Sequence, residues 1–560
     1  MKKIIKQLFI FYLVVVLLKI LLSSLIPSPS AYSDEYIYIK LARSFFFDFN
    51  FTIHNVMVDI YPPLYPMLLS ISYISKDMTI VYFLMKVINA LISSLIIVPA
   101  YLLSKEFLNE KKSLIIALLI SIIPSNFSFT PYIMSENLFY PLSLFTIYFI
   151  YKSFSEKGYK YSVLAGIFLA LSYLTRTIAI SLVSAFMISY LIFFIIKKTD
   201  RKLIFKKFII SILLFFLIIS PWLIRNFSLY GFNLELFLGP NTKSALRIAT
   251  DFKLINYLIK FLVYISYIIL SSLIIFPLKF VNILNKKNLT FLILFIPLFI
   301  TTLVIAANHG RSVYFFEWFT GKFLGRYVDF LLPLFFIAGC IGARKIKKIN
   351  KMTIFIFGFL LLIGSLLILH PLFPINNLSL TWVGILKYLF EFLFYNKIYY
   401  SREFFTGSLV FFAALFISLL ILILFLEKKF SLNKLMPYFF VFFILLNLLN
   451  YSVIYYDSKT NWYDQEQMQL GLWLNEYDSD KISNILFDEG GCGQLTKEEQ
   501  DGICGGVDNV RSIIGYWLND NIIVDNTSRA QNYDYVISKN KLDLPLIKES
   551  DNGIYIYKIK

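Results

Sequence analysis

The stretch IIKQLFIFYLVVVLLKILLSSLIPSPSAYSDEYIYIKLARSFFF, Ile4 to Phe47, decides how the rest of the chain is read. Its first half, Ile4–Ile26, is apolar over the roughly 20 residues that a helix needs to cross a bilayer. No small-residue cleavage site follows it and further apolar segments do, so it reads as a retained first span rather than a removed leader. Its second half leaves the membrane through PSPS and becomes patterned. Tyr36, Ile39, Ala42 and Phe46 recur at helical spacing, the mark of an amphipathic helix lying on the membrane surface. Asp34 and Glu35 open that helix. Acidic groups in a first turn are favoured by the helix dipole, so the pair carries two readings, helix-end stabilisation and chemistry.

The remainder of the 560 residues agrees with a membrane setting. With 58% apolar, 18% aromatic and only 16% charged residues, the chain is too apolar for an ordinary water-soluble fold. Thr79–Ser104, Phe208–Leu223, Phe355–Leu369 and Pro437–Tyr455 approach or meet the length of a span, and about thirteen spans are expected in all. The net charge of +18 would suggest a nucleic-acid partner in a soluble protein, but its distribution reports topology instead. About half of the 53 basic residues fall in seven clusters: Lys2–Lys6, Lys105–Lys112, Lys152–Lys160, Lys197–Lys207, Lys279–Lys287, Arg344–Lys351 and Lys428–Lys434. All seven lie on one side of a thirteen-span path. The positive-inside bias then puts the amino terminus in the cytoplasm and the carboxyl terminus outside the plasma membrane.

The expected fold is therefore an α-helical polytopic membrane domain over residues 1–455, with a first outer loop at 27–77, followed by a small extracytoplasmic α/β domain at 456–560. From Tyr456 onward the tail carries 10 basic and 18 acidic residues, which suits a water-facing segment. QEQMQLGLWLNEY reads as a helix, and NILFDE, NIIVDN, YDYVIS and GIYIYKI as strands, the last three closing the chain. Cys492 and Cys504 lie in this tail on the oxidising side, where a disulfide and two free thiols are both open readings. Cys340, inside a span, reads as packing. GGCGQ and GICGGVD are not placed between a strand and a helix as a nucleotide loop requires. His54, His309 and His370 are scattered and read as structural. Asn377 and Asn526 are Asn-X-Ser/Thr sites on outward segments, open to glycosylation.

Polar residues at the outer ends of spans are the candidates for chemistry. The loop ends in the proline-stiffened YPPLYP, Tyr61–Pro66. Glu136 closes FSFTPYIMSE. Lys86 and Asn89 sit in FLMKVINAL, and Arg176 in YLTRTIAI. An ionisable residue at such depth is expensive unless it faces a polar cavity, although snorkelling to headgroups is the plain alternative for Lys86 and Arg176. Arg225 in PWLIRN, Arg311, and Arg326 in GRYVDFLLP add cations on a face where the charge bias expects few. A lipid-linked phosphate is the natural anionic partner for them.

Taken in order, SDEYIY, YPPLYP, MSENLF, LTRT, PWLIRN and GRYVDFLLP resemble the GT-C membrane glycosyltransferases. More narrowly they resemble the family 39-like branch of dolichyl-phosphate-mannose protein mannosyltransferases and lipid A aminoarabinose transferases. The likeness spans about Met1 to Leu334. It implies an inverting hexosyl- or pentosyltransferase that takes a sugar from a polyprenyl-phosphate donor and passes it to an acceptor outside the cytoplasm. The family's essential acidic residue of the first outer loop maps onto Asp34, with Glu35 beside it, and the second acidic position onto Glu136. Where family members carry a basic residue or histidine before the Pro-Pro pair, this chain has Tyr61, for which Lys86 is a candidate substitute.

Transfer from a sugar phosphate needs cations for the leaving phosphate and a base for the acceptor hydroxyl, and a single displacement inverts the anomeric centre. Asp34 is the candidate base, with Glu136 orienting the acceptor or Asp34. Arg225, Arg326, Lys86 and Arg176 are the candidates for the phosphate. A divalent cation bridging Asp34 and Glu136 stays open. The partners implied are the donor, membrane lipid, and an acceptor that is a glycan, a lipid or a protein. The sugar stays unnamed, because motifs do not encode pocket shape. Two other readings use the same residues: a transporter or flippase of lipid-linked sugars, and a scaffold whose tail recruits partners.

Overall fold

The structure is a computed structural model that describes residues 2–30, 33–53, 56–58, 61–232, 237, 254–284, 288–309, 323–343, 349–370, 372, 374–396, 406–460, 462, 465–478, 483–488, 514–525, 527–551 and 553–560. Helices dominate it. In chain order they are α1 (Lys2–Ser24), α2 (Ser33–Asp48), α3 (Leu64–Leu69), α4 (Met78–Ser94), α5 (Ile97–Lys105), α6 (Glu110–Ser121), α7 (Pro124–Phe127), α8 (Glu136–Ser155), α9 (Lys160–Tyr173), α10 (Ile180–Ile196) and α11 (Arg201–Tyr230). After these come α12 (Leu254–Ser271), α13 (Ile275–Phe280), α14 (Leu289–His309), α15 (Leu332–Gly342), α16 (Lys351–Gly364), α17 (Pro374–Asn377), α18 (Thr381–Tyr395), α19 (Thr406–Lys429), α20 (Leu432–Thr460) and α21 (Gln465–Tyr477).

Among the described residues, ten helices are long and apolar enough to cross a membrane, and three shorter apolar helices lie at Leu64–Ile74, Lys160–Tyr173 and Asp329–Gly342. Only helices satisfy every backbone donor within one segment, which is why runs of Leu, Ile and Phe take this form in lipid. The chain folds as two compact units.

The first unit comprises Met1–Lys19, Leu91–Phe129 and Ser135–Tyr451 and is helical. Prolines stand inside α8 (Pro141), α11 (Pro221) and α14 (Pro297). Close helix approach relies on small residues: a β-carbon at Gly339 of α15 would lie 2.7 Å from the backbone of Phe276 in α13, and Gly342 is packed as tightly against Lys279. Aromatic faces fill the wider gaps, as where Phe154 stacks on Phe193 at 4.1 Å. Leucines 213 and 217 of α11 are more than half exposed, which is the ordinary condition of a lipid-facing side.

The second unit comprises Ile20–Ala90, Thr130–Met134 and Ser452–Lys560, so it joins the segment that follows α1 to the tail. A short antiparallel hairpin pairs β1 (Thr52–Ile53) with β2 (Val56–Met57). The tail holds a five-stranded mixed sheet of β3 (Asn484–Asp488), β4 (Asn521–Asp525), β5 (Tyr535–Ser538), β6 (Leu546–Glu549) and β7 (Tyr555–Lys558), in the order β4-β3-β5-β7-β6. β3 runs parallel to β4 and β5, whereas β7 is antiparallel to β5 and β6. Alternation divides the side chains between two faces: Ile485, Phe487, Tyr535, Ile537 and Ile556 pack with Leu470 and Leu474 of α21, and Leu486, Val536 and Tyr557 pack on the other side. The helix and four of the strands match the segments expected from periodicity. β6 was not expected, because its edge position leaves it largely exposed and without an apolar alternation to read.

Candidate active site

In the first unit the site is built around Glu136. Ser135 precedes it at the helix start, and Glu136 occupies the first turn of α8, where a carboxylate is favoured by the helix dipole. The side chain is 1% exposed and takes two guanidinium groups on one oxygen, Oε1: Arg176 forms one ion pair and Arg326 the other, the latter at 3.4 Å. Both arginines are themselves buried. A buried carboxylate with such partners is held in place, since removing one partner leaves an uncompensated charge. Two guanidinium groups thus meet one carboxylate, while Asp329, the second buried acid of this cluster, is turned to Tyr267 and Ser379.

The arginines are positioned by their neighbours. Arg176 lies over the Tyr327 ring at 5.0 Å, and the Tyr327 hydroxyl is 2.9 Å from His309 Nε2. Tyr140, one turn along α8 from Glu136, donates to the Arg326 carbonyl at 3.0 Å. The turn around Arg326 is further held by Gly325 N–H donating to Asn377 Oδ1 at 2.9 Å, and by Leu324 N–H donating to the Tyr264 hydroxyl at 3.2 Å. Asp329 accepts from Tyr267 at 3.0 Å and from Ser379 at 3.4 Å. Asn377 is fully buried, so the expectation of a glycosylation site there is corrected: the folded chain leaves no room for a glycan on its side chain.

Arg225 is placed differently, on α11, with its guanidinium over the Trp222 ring at 4.7 Å and donating to Asn226 Oδ1 at 2.7 Å. Arg311, His54, Asn526, Cys492 and Cys504 lie outside the described residues.

In the second unit Asp34 is half-buried, and the Tyr61 hydroxyl donates to its Oδ1 at 2.7 Å. The tyrosine before the Pro-Pro pair is thus a donor to the candidate base. Glu35 is fully buried and points elsewhere. It accepts from the Ser30 N–H at 2.6 Å, from the Ser30 hydroxyl, and from the Ile133 N–H at 2.6 Å. Burial pushes its carboxyl up to about 7, against the opposing pull of those hydrogen bonds. Asn89 grips the same segment as Glu35 by donating to the carbonyls of Thr130 at 3.2 Å and Tyr132 at 2.9 Å, while it accepts from Tyr65. Together they hold the backbone of the run that leads directly into Glu136.

Lys86 caps a helix. Its ammonium donates to the carbonyls of Ser23 at 3.1 Å and Ile26 at 2.9 Å, at the end of α1, and lies 4.2 Å from the centre of the Tyr82 ring. α2 is covered on its polar side as well as its apolar one. Lys40 donates to the Leu518 carbonyl at 2.9 Å and Arg43 Nε to the Asn519 carbonyl at 2.6 Å, while Tyr36 meets Tyr516 edge to face at 5.4 Å. Burial lowers the Lys40 ammonium to about 7 and raises the Asp520 carboxyl to about 6. The helical spacing of Tyr36, Ile39, Ala42 and Phe46 gave no sign of these grips by Lys40 and Arg43.

Among the described residues no group of three or more His, Cys, Asp or Glu is placed to hold a metal ion. Glu136 is paired with two guanidinium groups, a setting opposite to that of a divalent-cation ligand.

The comparisons with known proteins agree with this architecture. The family model described as dolichyl-phosphate-mannose-protein mannosyltransferase matches residues 61–224, a stretch that includes Tyr61, Lys86, Glu136 and Arg176. No curated protein sequence matches the chain. Among solved structures, ArnT from Cupriavidus metallidurans in the apo state aligns over 99% of this chain and 98% of its own, at 11% identity and a TM-score of 0.56. The same protein bound to undecaprenyl phosphate aligns over the same shares, at 11% identity and a TM-score of 0.58. With its many helices long and apolar enough to cross a membrane and its small carboxyl-terminal sheet, the chain has an ArnT-like fold.

Proposed function

We propose that this protein is a glycosyltransferase that moves a sugar from a polyprenyl-phosphate donor to an acceptor hydroxyl at the outer membrane face, with inversion. The observation that carries this reading is the buried Glu136 carboxylate with Arg176 and Arg326 on one oxygen, which gathers two guanidinium groups at one point. A sugar phosphate needs such charge more than it needs an acid, because the departing phosphate is a stable anion once its charge is matched. Arg176 and Arg326 are assigned to the donor phosphate, and Glu136 holds them in register. Arg225, stacked on Trp222, is a further cation for the donor. Lys86 is left out of that group, since its ammonium serves the carbonyls of Ser23 and Ile26.

Asp34 is assigned as the base that takes the proton from the acceptor hydroxyl as the anomeric carbon develops oxocarbenium character. Tyr61 orients it through its hydrogen bond. Glu35 is assigned a supporting role through Ser30 and Ile133. Undecaprenyl phosphate, bound by the ArnT of like fold, has the chemistry expected of the spent donor.

The test uses membranes containing the protein and radiolabelled polyprenyl-phosphate sugars. Label should leave the lipid with the unaltered chain. With Asp34→Asn the donor should still bind, and turnover should fall by about 1,000-fold or more, in line with removal of a general base. A transporter would keep moving ligand in the Asp34→Asn variant, and retention of full sugar transfer there would defeat the assignment.

A further inference from the structure

Two of the seven basic clusters read from the sequence, Lys105–Lys112 and Lys428–Lys434, contribute residues to one cavity of the first unit. It has a volume of about 370 Å³ and lies among the start of α6, the end of α15 and the start of α20. Leu108, Ile116, Leu432 and Met436 give it an apolar wall, and Lys111, Lys112 and Cys340 line it too. Lys428, Lys429 and Lys434 flank the segment that supplies Leu432 and Met436.

The nearby carboxylates are already engaged by other cations. Glu106 pairs with Lys152 at 3.2 Å, Glu110 with Lys105 at 3.0 Å, and Glu427 with Lys279. Among the described residues Lys111 and Lys112 make no salt bridge, so these two lysines of the cavity are matched by no fixed acid. Arg326 and Cys340 lie at opposite ends of the segment containing α15, about 20 Å apart at 1.5 Å per helical residue. The cavity is therefore remote from the Glu136 cluster, at the end of the helices to which the charge bias assigns the cytoplasmic face.

We infer that this cavity is a seat for the headgroup of an anionic phospholipid of the inner leaflet. An aliphatic wall together with two lysines fits an amphiphile that brings a phosphate and a glycerol ester together, whereas a nucleotide would want an aromatic face or a donor-acceptor set for its base. The volume takes a headgroup and its glycerol, leaving the acyl chains to run along the lipid-facing helices. Anionic lipid is abundant at that surface, and each lysine near it adds to the attraction. Long lysine stems also let the ammonium groups follow the headgroup while their methylenes cover apolar wall.

The experiment uses the full chain in a neutral detergent, titrated with dihexanoyl phosphatidylglycerol, dihexanoyl phosphatidylcholine or inorganic phosphate. Two readouts are followed: the thermal midpoint, and modification of Cys340 by a water-soluble maleimide, located by peptide mass spectrometry. Phosphatidylglycerol should raise the midpoint and slow modification of Cys340, while phosphatidylcholine and phosphate should do neither. Lys111→Gln with Lys112→Gln should raise the phosphatidylglycerol concentration needed by about ten- to thirtyfold. Lys202→Gln with Lys206→Gln, an equal loss of charge from exposed positions of α11, should leave it unchanged. The inference is overturned if phosphate protects Cys340 as well as the lipid does, which would make this a free-anion site. It is equally overturned if both double variants weaken the lipid alike, or if Cys340 in the unaltered chain is not protected.

Discussion

Tyr61 shows how one residue changes meaning once its partner is known. In the sequence it is a departure from a basic family position; in the fold its hydroxyl lies 2.7 Å from Asp34 Oδ1. A hydrogen bond to a charged group contributes about 1.5–3 kcal/mol, so Tyr61→Phe is expected to lower kcat by about ten- to a hundredfold with little change in KM for the donor, checked by steady-state kinetics. Glu35 makes the complementary point. Its carboxyl is raised from the ordinary 4.5 to about 7 by burial, so the folded state holds the proton more tightly than the unfolded chain between those values. That contribution to stability is present in full below pH 4.5 and is lost as the pH rises through about 7. Glu35→Gln keeps an acceptor for Ile133 without the ionisation. Thermal midpoints measured from about pH 4.5 to 7.5 should therefore decline less steeply in the variant than in the unaltered chain.

At the scale of elements, α2 departs most from its reading in the sequence. Tyr36, Ile39 and Ala42 are buried, as the helical period requires, but so are Lys40 and Arg43, and Phe46 is exposed. The polar stripe is used to hold the 514–520 segment through its carbonyls, so the tail is tied to the helix that Asp34 opens. Period analysis sees only apolar against polar and cannot tell a polar face turned to water from one turned to backbone carbonyls. Arg43→Ala together with Lys40→Met should free this contact. Amide exchange over Gly515–Asp520 should rise by at least tenfold, and turnover should fall while donor affinity holds; unchanged exchange would show that other contacts keep the segment in place.

For the whole molecule, the charge bias predicts sidedness that labelling can check. Lys202→Cys should react with a membrane-impermeant maleimide only after cells are permeabilised, whereas Lys541→Cys should react in intact cells, each measured against the unsubstituted chain. Labelling of Lys202→Cys in intact cells would reverse the assigned orientation. Apolar length and lysine placement were sufficient in the sequence for a polytopic helical class, apolar alternation for the sheet-bearing tail, and ionisable groups at the ends of spans for the candidacy of Asp34, Glu136, Arg176 and Arg326. These are local properties, carried by composition and by periods of 3.6 and 2 within single segments. Only the tertiary structure decided that Arg176 and Arg326, 150 residues apart in the chain, share one oxygen of Glu136, and that Lys86 closes the end of α1. It also turned Glu35 onto Ser30 and Ile133, away from the role its neighbour is assigned. Pairing between distant segments depends on which buried polar group can find its partner, and a buried charge is satisfied by whatever the fold brings within reach, which no local pattern records.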